Sequence, residues 1–88
     1  MKAIVTVIGK DKVGIIAGVS AKLAELEFNI IDVSQTIMND YFTMMMMVEA
    51  QSGTNIKAAS LSLKDLSDDL GVSIHLQNEE IFNAMHKL

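Results

Sequence analysis

The chain opens on a run with no polar side. Ala3, Ile4, Val5, Thr6, Val7 and Ile8 are apolar or β-branched throughout, and Gly9 ends the run. A strand that is apolar on both faces belongs inside a sheet, so residues 2–9 are predicted as a buried strand. From Gly14 the period changes: Ile15, Val19, Leu23 and Leu26 recur at i, i+4, i+8 and i+11, one helical stripe, which predicts a helix to about Glu27. Asn29–Asn39 returns to a period of two, with Ile31, Val33 and Ile37 on one face and Asp32, Ser34 and Thr36 on the other, as in a strand with one wet side. Asn39-Asp40 supplies turn chemistry, and Tyr41–Ala50 is the returning strand of a hairpin. Its Met44–Met47 run sets Met44 and Met46 on one face and Met45 and Met47 on the other.

Gly53-Thr54-Asn55 breaks the pattern with capping residues, after which Ile56, Ala59, Leu63, Leu66 and Leu70 keep helical spacing and Gly71 stands where a C-terminal glycine cap belongs. Val72, Ile74 and Leu76 alternate with Ser73, His75 and Gln77 in a last strand. Residues 79–88 then carry Ile81, Phe82, Met85 and Leu88 on one side of a short helix, with Glu79 and Glu80 at its N-terminus. The order is βαββαβ plus a helix. Two right-handed crossovers put the first and third strands, the two without a wet face, at the centre of one antiparallel sheet. The expected fold is therefore α+β, a ferredoxin-like sandwich with sheet order 4-1-3-2, both main helices on one face and a short C-terminal helix. The expected core is Val5, Val7, Ile15, Val19, Leu23, Ile31, Val33, Leu63, Leu66, Ile74 and Leu76.

Length and composition narrow the function. At 88 residues the chain is read as one domain, with a core of residues 1–78 and a helical extension over 79–88, and half of its residues are apolar. That is rich for so small a volume: Met45 and Met47 need a cover, either a second subunit or the final helix, and together with the apolar side of residues 81–88 they exceed what one small domain readily hides. A homodimer or higher oligomer is expected. There is no cysteine, hence no disulfide framework or thiolate metal site. The first strand lacks the cleavage region of a signal peptide and is too short to span a bilayer, so the expected location is cytoplasmic, away from any membrane. A net charge of −4 without a Lys/Arg cluster argues against nucleic acid as a partner.

Catalytic chemistry finds little support. Ser20, Ser34, His75 and His86 form no nucleophile constellation, no Gly-x-Ser-x-Gly elbow occurs, and the two histidines have no third ligand at zinc-site spacing. Asp65, Asp68 and Asp69 read as a solvated helix face. The chain is therefore read as no enzyme, with neither cofactor nor metal. The informative stretch is Gly9-Lys10-Asp11-Lys12-Val13-Gly14-Ile15-Ile16, which turns from a central strand directly into a helix whose first amides lack intrahelical partners and can hold an anion. A nucleotide phosphate loop would need Lys and Ser or Thr after the second glycine, where Ile15 and Ile16 stand.

Asp11-Lys12-Val13-Gly14-Ile15-Ile16 resembles the Asp-x-x-Gly-aliphatic turn of the ACT domain family. Asn29-Ile30 after the first helix and Leu70-Gly71-Val72 after the second match that family in the same order, and the resemblance spans residues 1–78. The chain is most similar to stand-alone bacterial members, which are like the halves of tandem regulators of the glycine-cleavage-repressor type. The resemblance implies that small effectors, often amino acids, bind between the first turn of one subunit and the second strand of a neighbour. By position this implicates Asp11, Val13, Gly14 and Ile15, with Asn29, Ile30 and Ile31. Amides near Gly14 suit a carboxylate, Asp11 an ammonium, and Asn29 offers both donor and acceptor. The same residues also admit plain structural roles: an Asx-turn at Asp11, close backbone approach at Gly14, a helix-end cap at Asn29. Glu27-Phe28 stands where the family often has a glycine, so a different turn and a pocket narrowed by Phe28 are expected. The expected function is a regulatory domain that senses a small molecule, an amino acid as the resemblance implies, and acts on a separate regulated protein. The competing expectation is a protein–protein interaction module without a small ligand.

Overall fold

The computed structural model describes residues 2–10, 14–51 and 53–79. They form β1 (Lys2–Lys10), α1 (Ile15–Glu25), β2 (Phe28–Met38), β3 (Tyr41–Ala50), α2 (Ile56–Leu70) and β4 (Ser73–Asn78). The strands make one antiparallel sheet in the order β2-β3-β1-β4, which is the expected 4-1-3-2 read from the other edge. The helix expected over 79–88 lies, Glu79 apart, outside the described residues.

Local chemistry accounts for the element ends. At the start of α2 the Asn55 side chain accepts the Ala58 N–H at 3.1 Å, and at its end Gly71 is left-handed (φ 69°) while the Val72 N–H reaches the Ser67 carbonyl at 3.1 Å. That six-to-one bond closes the helix as a glycine cap should. The turn out of α1 is different: Glu27 itself takes the left-handed conformation, φ 66°, at the place expected to depart from the family's glycine.

One face of the sheet packs under both helices. Val5 and Val7 of β1, Met44, Met46 and Val48 of β3, Ile15, Val19 and Leu23 of α1, and Ala59 and Leu63 of α2 share a single core. Met45 and Met47 fall on the opposite face, as their spacing requires.

The expected core needs correction at β2. Ile31 and Val33 are exposed, at 48 % and 46 %. Ile30 pairs with Val48 but Asp32 pairs with Met47, so Ile31 is the extra residue of a β-bulge. Phe28 and Ile30 face the helices before the bulge, and Val33, Gln35 and Ile37 face that side after it. β2 is also the outermost strand, and only its head reaches the core: Phe28 is buried there and Ile30 packs against the cluster. Phe28 is thus core, not the wall of a pocket. Leu66, Ile74 and Leu76 are half-buried, packed against the core and not sealed within it; β4 is a six-residue strand at the edge of the sheet.

Candidate functional site

The start of α1 has the features of an anion-receiving turn. Gly14 is its N-cap at φ 97°, ψ −8°, a backbone conformation that a side chain strains against. A Cβ built there meets nothing within 4 Å, so the glycine serves conformation and not close approach. The first bond of the helix runs from the Gly18 N–H to the Gly14 carbonyl, 2.8 Å, which leaves the amides of Ile15, Ile16 and Ala17 without partners inside the helix. Gly14 has no side chain to accept them, and the first turn holds no acid. The partial positive charge of the helix end therefore faces outward. The Ile15 side chain is buried in the core, so that residue can offer a ligand only its backbone. Asp11 and Val13, the other members expected in this turn, lie outside the described residues.

The second segment begins β2. Asn29 is exposed and lies within the strand, two residues past left-handed Glu27, so it does not cap α1. Ile30 turns inward and is half-buried, whereas Ile31 projects from the bulge. One residue past the bulge, the Asp32 carboxylate accepts the Val33 N–H at 2.9 Å. Opposite Asn29 stands Glu49 of β3, exposed and on the same face. Glu49 was not singled out from the sequence, because counting back from the Asn39-Asp40 turn in an unbroken register pairs Asn29 with Ala50. The bulge shifts the pairing by one.

Within one chain the two segments do not meet. β1 ends with Lys10 opposite Tyr41, which in turn pairs with Met38, so the end of β1 lies level with the tail of β2. Asn29 and Glu49 lie at the other end, beside Lys2. Tyr41 and Glu49, which mark the two ends on β3, are eight residue steps apart, about 26 Å at 3.3 Å per residue. Surface hollows lie elsewhere on the described residues. One of about 300 Å³ lies between Glu27 and the Asn55 end of α2, one of about 210 Å³ lies on the helix-free face beside Met45 and Met47, and one of about 640 Å³ separates α2 from β4.

Other polar groups are engaged locally. The Ser73 hydroxyl and His75 Nε2 share a hydrogen bond of 3.0 Å on the exposed side of β4. Among the described residues no three His, Cys, Asp or Glu side chains cluster closely enough to hold a metal ion, and no helix is long and apolar enough to cross a membrane.

Comparison with known proteins agrees with this architecture. The UPF0237 protein YjhC of Lactococcus lactis is 59 % identical over 88 residues, covering all of both chains. The structure of an ACT domain protein from Streptococcus pneumoniae is 46 % identical, covers 98 % of each chain and superposes with a TM-score of 0.85. A structure assigned as a glycine cleavage system transcriptional repressor shares the fold at 22 % identity and a TM-score of 0.78, over 86 % of this chain and 45 % of that one. The family model for the ACT domain matches residues 2–77, and the chain belongs to the ACT domain family.

Proposed function

We propose that the chain is a regulatory domain which binds an amino acid between the Asp11–Ile15 turn of one copy and Asn29–Ile31 of a neighbouring copy, and passes the signal to a separate protein. The observation that supports this reading is that the end of β1, which leads into α1, lies level with the tail of the exposed edge strand β2, whose head carries Asn29–Ile31. Two β2 edges pairing antiparallel about a two-fold axis set the head of one beside the tail of the other, which brings Asn29 of each copy toward the α1 start of its neighbour. The amides after Gly14 then receive the carboxylate, and Asp11 and Asn29 the ammonium. Glu49, beside Asn29, adds a second acid for the ammonium. The likeness in fold to a glycine cleavage system transcriptional repressor supports a regulatory role. The same reading places the chain in the cytoplasm, with neither nucleic acid nor membrane as a partner.

The test is a thermal-shift screen of the amino acids at millimolar concentration, followed by calorimetry on any that respond. A ligand that binds only the native oligomer raises its melting temperature by mass action. No shift and no heat with any of them would replace the sensing role by that of an interaction module without a small ligand.

A further inference from the structure

The sheet ends on β2 at one side and on β4 at the other. Among the described residues β4 has no exposed large apolar side chain, whereas β2 has Ile31, Val33, Ile37 and Met38, each at least 46 % exposed. On the helix side Val33, Gln35 and Ile37 stand opposite Met46, Met44 and Phe42 of β3, all of which are sealed. The core therefore stops one strand short of this edge, and Val33 and Ile37 stand where it would continue. The bulge limits what can continue it. Past Ile31 the strand keeps a single phase from Asp32 to Met38, and the midpoint of that stretch is Gln35.

Opposite residues of an antiparallel pair share a face, so a two-fold axis between two copies of β2 must pass between two copies of one residue. With the axis at Gln35 the whole regular stretch pairs. Val33 then stands opposite Ile37 of the second copy on the helix side, and Ser34 opposite Thr36 on the other, each pair occurring twice. An axis at Ser34 sets Val33 against Gln35 and draws the bulged Ile31 into the ladder. An axis at Thr36 sets Val33 against the left-handed turn residue Asn39 and Asp32 against Asp40, two like charges. Larger shifts pull both bulges into the ladder or leave almost nothing paired. We propose that two copies pair through Asp32–Met38 with Gln35 opposite Gln35, which joins their sheets into one with all helices on the same side. This register rests on the edge pairing invoked for the shared site and adds a residue to it. Counted back past the bulge, Asn29 comes level with the Asn39-Asp40 turn of the second copy, where the exposed Asp40 is a further acid for an ammonium.

The chain has no cysteine, so cysteines introduced singly along β2 read the register directly. Ser34, Gln35 and Thr36 are all exposed, and their replacement leaves the core untouched. With oxidised glutathione, Gln35→Cys should form a disulfide-linked homodimer about tenfold faster than Ser34→Cys or Thr36→Cys, because opposite Cα atoms lie about 5 Å apart, within disulfide reach, and two copies of Ser34 about 8–9 Å. A mixture of Ser34→Cys with Thr36→Cys should give a cross-linked heterodimer that neither forms alone. Fastest self-linking at another β2 position overturns the register, and so does a dimer in sedimentation that links at none of them. A thermal-shift screen of the amino acids on the wild type separates the two readings. Linking at Gln35 without any response to an amino acid keeps the register and removes the sensing role, whereas a response with linking elsewhere does the reverse. A chain that sediments only as a monomer overturns both.

Discussion

Gly9 approaches Val72 so closely that a Cβ built on the glycine falls 2.5 Å from Val72 Cγ1. Val72 joins the glycine cap of α2 to β4, and its seat against the end of β1 requires a residue without a side chain there. Gly9→Ala should therefore cost about 1–3 kcal/mol by overpacking. Val72→Ala in the same chain should recover part of the loss, a coupling that urea titration of the two single variants and the double variant measures.

Leu63 is fully buried at the centre of the core and Leu66, one turn on, is half-buried. Leu63→Ala should cost about 2–5 kcal/mol. Leu66→Ala should cost about 1–2 kcal/mol, in keeping with its smaller buried area. Equal losses in equilibrium unfolding would mean that a cover over α2 seals Leu66 as well.

Glu27 holds a left-handed conformation that glycine adopts without strain. Glu27→Gly should leave stability unchanged or raise it by up to about 1 kcal/mol. Glu27→Val, β-branched and ill suited to positive φ, should lose about 1–2 kcal/mol. Thermal unfolding of the three chains checks the order.

The proposed pairing of two β2 edges predicts that Val33→Lys, at an exposed apolar position of that strand, shifts the protein toward monomer in sedimentation. Because Val33 lies outside the core, stability of the monomer should stay within about 0.5 kcal/mol. A wild type that sediments only as a monomer at micromolar concentration would remove the basis of the shared site.

Asp11→Ala should weaken amino-acid binding by about 1.5–3 kcal/mol in calorimetry, the worth of a hydrogen bond to a charged group. An Asx-turn role alone would lower the melting temperature and leave ligand affinity unchanged.

Most of the scaffold was legible in the sequence because each element carries its own signal. The Ile15-Val19-Leu23 stripe, the Asn55 and Gly71 caps and the Asn39-Asp40 turn all act within a few residues, and the apolar character of β1 and β3 places them at the centre. β2 was misread because its alternation looks continuous. A bulge leaves the composition of a strand unchanged and alters only its pairing, so nothing in Ile30-Ile31-Asp32 announces that Ile31 is surplus. The same hidden shift concealed Glu49 beside Asn29. The expected burial of Ile31 and Val33 rests on their alternation with polar residues, a pattern whose apolar side an edge strand can leave exposed.

The bulge also restricts how the length of this strand can change. β2 runs in two phases, one that carries Phe28 and Ile30 inward and one, offset by a residue, that carries Val33, Gln35 and Ile37 to the same side. Removing Ile31 itself would restore a single phase with both halves still facing the helices, whereas forcing Ile31 into regular alternation would turn either the Phe28 half or the Val33 half over. Substitutions can alter what the edge presents, but a single insertion or deletion away from Ile31 reverses the faces of the residues between it and the bulge. An edge offset in this way also fits another copy in few alignments, which guards an unpaired strand against indiscriminate growth into fibres.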